Sequence, residues 1–208
     1  MKAWYFSQDN CRLRYGDDSI IKAGKTHKVN CKPILCEQGL HGSVDIRDAL
    51  DYAPAAYIWR VELGGEIVKG DDKAVATHRT YLWGYNATDV LWHCARLNAL
   101  DVADNWDMPD VVRRFLMTGD EDLRSAANSA AYSAYSADSA ARSAYSAARS
   151  AANSADSADS AAYSAYSAAD SADSANSAAY SGACSGAYSA IRAKQSRRLY
   201  RMIMDSRP

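Results

Sequence analysis

Three rhythms of apolar residues succeed one another along the chain. Over the first 86 residues the apolar positions come in short, partly alternating runs separated by Gly, Pro and Asp. Such runs predict strands and turns. Residues 3–7 form an aromatic-rich first strand, and residues 20–23 a second extended piece between the turns 15–18 and 23–25. Ile34-Leu35-Cys36 follows a proline and is expected to be extended, with 37–43 as a Gly-punctuated loop. Ser43 or Asp45 can cap a short helix running to Tyr52, and Pro54 ends it. Residues 57–63 alternate as a half-buried strand, Gly64-Gly65 predicts a hairpin turn into 66–69, and 74–83 supply a further strand.

The second rhythm is helical. Val90, Leu91, Cys94, Leu97 and Leu100 recur at three- and four-residue steps and predict a helix over about 87–103. Pro109 opens a shorter one over 110–117. Together these segments make a small α+β head of mixed sheet and helices over residues 1–119.

The third rhythm has almost no large apolar residues in it. Residues 125–190 hold 27 Ala, 19 Ser and 7 Tyr among 66 positions, with no Leu, Ile, Val, Met, Phe or Trp. All five Trp lie in the head. Ala and Ser bury too little area to offset chain ordering, so only the head can build a core of its own. Successive Ser residues from 125 to 189 are separated by eighteen steps of three or four, averaging 3.56. That matches the α-helical period and, lying between 3.5 and 3.6, permits a gentle left-handed supercoil. One long helix is therefore expected over 120–204, with a capping box at Thr118-Gly119-Asp120-Glu121 and a tail at 205–208. Its small-residue stripe, Ser136, Ser143, Ser150, Ser157, Ser164 and Ser171, would let two helix backbones pack closely in an oligomer. Tyr132, Tyr135, Tyr163 and Tyr166 would flank that seam or meet a partner.

Composition narrows the function classes. A charged fraction of 24% and a net charge of −1 argue against nucleic acid as the main partner. No run of eighteen apolar residues is present for a membrane span, and the start carries no secretory signal. Five Cys without a dense framework suit reduced thiols in a cytoplasm. Residues 192–207 place six Arg or Lys against one Asp; among them Arg197, Arg198 and Arg201 could meet an acidic partner or complement the helix dipole.

Candidate chemistry is sparse. His41 sits between glycines, with Gly39, Ser43 and Tyr52 nearby in sequence, as a ligand-binding loop would. Asp71-Asp72-Lys73 reads as a solvated turn, and His78-Arg79 as a water-facing part of a strand. The spacing Cys31-x4-Cys36-x4-His41 departs from common zinc patterns. No metal ligand set and no catalytic residue is assigned.

Two resemblances follow from these residues. Gly39-Leu40-His41-x-Ser43, Ala49-x-x-Tyr52 and Trp59-Arg60-Val61-Glu62-Leu63-Gly64 resemble part of the ADP-ribosyltransferase and poly(ADP-ribose) polymerase catalytic domains. That likeness implies an NAD site, with His41 in place of the aromatic residue that stacks on nicotinamide. The expected strand at 77–81 carries no catalytic Glu. Over the whole chain, the order of Ile34–His41, the Val61–Ile67 segment, Asp71-Asp72-Lys73 and an Ala-periodic tract closing in Arg197-Arg198-Leu199 is similar to phage and prophage proteins, some of them named as immunity proteins. The resemblance implies a non-catalytic binding or assembly factor in phage–host conflict, located in the host cytoplasm, with a second copy or a host protein as partner and no cofactor. An NAD-binding enzyme or its inactive derivative is the alternative.

Overall fold

A computed structural model describes residues 1–13, 19–105, 107–135 and 185–208. The described strands form one antiparallel sheet: β1 (Lys2–Ser7), β2 (Thr26–Lys28), β3 (Leu40–Gly42), β4 (Tyr57–Lys69) and β5 (Ala74–Asn86). Helices α1 (Ile46–Leu50), α2 (Thr88–Leu100), α3 (Asp110–Thr118), α4 (Arg124–Tyr135) and α5 (Ser185–Asp205) complete the α+β architecture.

The long β4–β5 hairpin is its axis. On the outer side of β4 lies β1, with Trp4 opposite Arg60; along the far side of β5 lie β3 and β2, one after the other. The sheet curls until its ends meet, because Trp4 and Ser43 exchange backbone hydrogen bonds of 2.7 and 3.0 Å. Gly42 permits that approach: a Cβ there would stand 3.2 Å from Ala3 Cβ and from the Trp4 carbonyl.

Two bulges steer the hairpin. Val61 pairs with Tyr81 but Arg60 pairs with Trp83, so Leu82 is an extra residue on β5. A one-residue insertion reverses which face the following side chains take. Tyr81 accordingly joins a core inside the curl with Trp59, Val61 and Leu63, whereas Trp83 packs on the other face with Trp4, Phe6 and Ile58. The second irregularity, between Gly64 and Ile67, corrects the expected Gly64-Gly65 turn. Gly65 takes φ +72° within one continuous strand, the Glu66 N–H is met by Thr77 Oγ1 at 3.1 Å, and the hairpin reverses instead at residues 70–73.

Other expectations are corrected too. Residues 34–38 make a tight turn closed by Ile34 and Gln38, not an extended run, and residues 40–42 of the expected loop pair with β5 as a strand. Residues 20–23 contribute only an isolated bridge from Ile20 to Arg12, while β2 had no distinct apolar pattern to announce it. At α1 the cap is Asp45, which accepts the Arg47 N–H at 2.7 Å. In place of the capping box, Gly119 ends α3 at φ +68° and Asp120 caps a short 3-10 turn before α4.

Helices cover the outer face of the sheet. Ala49, Leu50, Leu91, Ala95, Phe115 and Leu116 are buried there, and the same core takes in Ala127 and Ala131 of α4 and Leu199 and Ile203 of α5. Both described flanks of the Ala/Ser tract thus share one core with the head, while most of the helix expected over 120–204 lies outside the described residues. Polar bonds reinforce α5: Arg192 to Asp48 at 2.8 Å, Lys194 and Arg198 to Asp101 at 2.7 and 2.8 Å, and Tyr85 Oη to the Ile203 carbonyl at 2.9 Å. No helix among the described residues is long and apolar enough to cross a membrane.

Candidate functional site

A cavity of about 640 Å³ opens beside the seam where β3 closes the curl against β1. Gly39, His41, Ser43 and Tyr52, expected from sequence as one ligand-binding group, all line it. They come from the 36–42 segment, from the residue that bridges to Trp4, and from the turn after α1. The remaining wall includes Tyr5 and Phe6 of β1, Cys36, Lys73 and Arg79.

His41 is held from both sides. Its Nε2 accepts the Cys36 N–H at 3.2 Å, and its own carbonyl accepts Arg79 Nη1 at 2.6 Å. Accepting that bond requires Nε2 without a proton. Burial, with Arg79 and Lys73 nearby, holds its pKa below the usual histidine range, against a weaker backbone hydrogen bond at Gly39. His41 thus fixes the shape of the wall. Cys36, at the centre of this turn, adopts φ +64°, a strained conformation for a side chain with a Cβ.

Arg79 corrects the expectation of a water-facing strand residue. It is only 2% exposed, and its guanidinium lies 3.7 Å from the Tyr5 ring centre and 5.1 Å from that of Tyr81. Nε donates to Tyr81 Oη at 2.9 Å. Among the described residues no carboxylate pairs with it. A charge kept out of water usually has an opposite charge beside it; this one has aromatic rings, a hydroxyl and a carbonyl in its place.

At the rim, Asp71-Asp72-Lys73 is more organised than a solvated turn. Tyr52 Oη donates to Asp72 Oδ2, and Lys73 Nζ lies 3.9 Å from the Tyr52 ring centre. The Tyr52 hydroxyl holds the Asp72 carboxyl below its usual range, while the acceptor carboxylate pushes the Tyr52 phenol up. Lys73 is held above its ordinary value, first by Tyr52 and less by the Cys36 thiol.

The cavity therefore offers aromatic rings, a buried guanidinium and a rim ammonium. Flat rings can stack on the first, and anions can meet the other two. No group of three or more His, Cys, Asp or Glu that could hold a metal ion occurs among the described residues. Sequence reading found the loop half of this site and missed Arg79, Lys73 and Tyr5; the one available signal was the i, i+2 spacing of Arg79 and Tyr81 on a strand.

The other sequence-selected positions lie elsewhere. Arg197, Arg198 and Arg201 are on α5. Tyr132 and Tyr135 belong to α4, whereas Ser136, Ser143, Ser150, Ser157, Ser164, Ser171, Tyr163 and Tyr166 fall outside the described residues.

No curated protein and no solved structure matches the chain. Residues 10–93 are similar to a family described as a domain of unknown function (DUF7666), a match that takes in Cys36–Ser43, Tyr52, Lys73 and Arg79 of the cavity but stops short of β1 on one side and of α3, α4 and α5 on the other.

Proposed function

We propose that the head is a binding module for a small molecule that carries a flat ring and an anionic group. The observation that carries this reading is Arg79, a buried guanidinium without a carboxylate partner among the described residues, in the wall of an aromatic-lined cavity. Cavities of a few hundred cubic ångströms with few, convergent polar groups are the usual form of a small-molecule site. In this reading the ligand's ring lies between Tyr5 and Tyr52, while its anionic group meets Arg79 and Lys73. His41 and Gly39 shape the wall and do no proton chemistry.

NAD belongs to this ligand class, and the convergence of Gly39, His41, Ser43 and Tyr52 on one cavity favours it as the first probe. Catalysis is not part of the proposal. The Ala/Ser tract, with its 3.56-residue period, is proposed as a segment for self-association or for docking a host protein in a phage-borne, cytoplasmic factor.

Calorimetric titration of the full chain with NAD, ADP and nicotinamide tests the binding proposal. Binding of the two phosphate-bearing compounds with a component that is weakened about tenfold by Lys73→Gln and lost in His41→Ala is the expected result. Absence of binding by all three at millimolar concentration would sink it.

A further inference from the structure

A second cationic site lies on the opposite face of the sheet, where α5 crosses β1 and β4. Arg60 follows the helix-facing register of β4, and its guanidinium stacks 4.4 Å from the Trp4 ring centre. Its Nη1 is buried and has no hydrogen-bond partner, and no carboxylate pairs with the side chain among the described residues. Burial alone pulls its pKa down, with the nearby Tyr200 opposing weakly.

The cleft in front of it, about 560 Å³, is lined on the helix side by Arg197, Tyr200 and Arg201. Arg197 and Arg201 stand one turn apart, a like-charge spacing that costs an isolated helix stability. Neither pairs with a carboxylate among the described residues. Two acids, Asp45 and Asp205, also line the cleft. Asp45 is already committed, accepting Ser196 Oγ at 2.6 and 2.8 Å and the Arg47 N–H. The neighbouring cations on α5, Lys194 and Arg198, share one carboxylate, Asp101. Arg197 and Arg201 are thus the α5 cations without a paired carboxylate among the described residues, and both line this cleft with Arg60, beside Asp205.

The geometry points to this cleft as a binding site for a phosphate group on a small molecule, held by Arg60, Arg197 and Arg201. Guanidinium forks match phosphate oxygens in pairs, and a bound phosphate would supply the acceptor that Arg60 Nη1 lacks. It would also relieve the repulsion between Arg197 and Arg201. A nucleic-acid backbone fits less well, because a polymer is tracked by a continuous basic stripe and here the flanking cations are already paired. The site is separate from the head cavity and does not depend on what that cavity binds.

Titration of the full chain with inorganic pyrophosphate at fixed ionic strength tests the inference, with inorganic phosphate and a short DNA duplex as comparators. Pyrophosphate is expected to bind, at least about tenfold more weakly in Arg60→Met and Arg201→Gln and unchanged in Lys73→Gln. Arg60→Met is expected to keep or raise the melting temperature while losing the ligand, a pairing that a purely structural arginine would not give. Should Arg60→Met fail to fold, the exposed Arg201→Gln carries the comparison. Absence of pyrophosphate and phosphate binding at millimolar concentration overturns the proposal. So does binding that survives in both arginine variants or is lost in Lys73→Gln, and so does duplex binding that pyrophosphate fails to displace.

Discussion

The two faces of the sheet treat their arginines differently. Inside the curl, Arg79 has hydrogen bonds to Tyr81 Oη and the His41 carbonyl and lies against two aromatic rings. On the helix-covered face, the Arg60 side chain lies against the Trp4 ring and has no hydrogen bond among the described residues, with Nη1 buried and unmet. Both are guanidinium groups on adjacent strands of one hairpin, so residue chemistry does not separate them. Surroundings do. Arg79 is a fastener between β3 and β5 that also charges a cavity, whereas Arg60 contributes little to holding the fold and is available to a ligand.

That contrast makes a paired prediction. Arg79→Met removes the donor to the Tyr81 hydroxyl and the His41 carbonyl, together with the cation–π contact on Tyr5, and should cost about 2–4 kcal/mol in urea denaturation of the full chain. Arg60→Met removes no hydrogen bond and should cost nothing measurable or stabilise. Equal losses for the two would erase the distinction between the faces.

The docking of α5 supplies the next two tests. Ile203 is fully buried in the helix-side core, and Ile203→Ala should cost about 2–4 kcal/mol through lost burial and a residual cavity. Asp101→Asn loosens Lys194 and Arg198 together and should cost about 1–2 kcal/mol. Denaturation followed by the head tryptophans reads both. A loss in Asp101→Asn as large as that in Ile203→Ala would mean that polar bonds, not burial, hold the helix down.

The smallest expected effect concerns pH. Because His41 has a folded pKa below its unfolded value near 6.5, the unfolded chain takes up protons first as pH falls. The stability tied to neutral His41 is present above that value and is lost as pH drops through and below it. His93 is lowered as well, chiefly by burial, and adds the same sign. Comparing melting temperature against pH for the parent and His41→Gln isolates the His41 part; identical profiles would show that the 36–41 wall does not depend on neutral imidazole.

Much of this molecule follows from local chemistry. Alternation over 57–63 fixed a strand because period two lets one face bury, and the three-to-four spacing of Val90, Leu91, Cys94 and Leu97 marked α2 for the analogous reason. Glycines around His41 pointed to a segment beside a cavity. Gly64-Gly65 misled, since a glycine pair suits a bulge at positive φ as well as a turn, and only the pairing of Ile67 with Ala76 distinguishes them. Arg79 was hidden because a charged residue on a strand ordinarily faces water, and nothing local says that Tyr5, 74 residues earlier, will stack on it.

Residue order alone set the α+β class of the head, its strands over 57–63 and 74–83, the start of α3 at Pro109 and the loop members Gly39, His41, Ser43 and Tyr52. These depend on periodicity and on backbone preferences that act within a few residues. Long-range packing set the rest: closure of β1 on β3, the switch of faces at Leu82, the docking of α5 on the helix-side core, and the burial of Arg79 and of Arg60 Nη1 with no carboxylate paired to either among the described residues. Each of those depends on which distant segment arrives next to a residue, and burial of a charge acquires its energetic meaning only once that neighbour is in place.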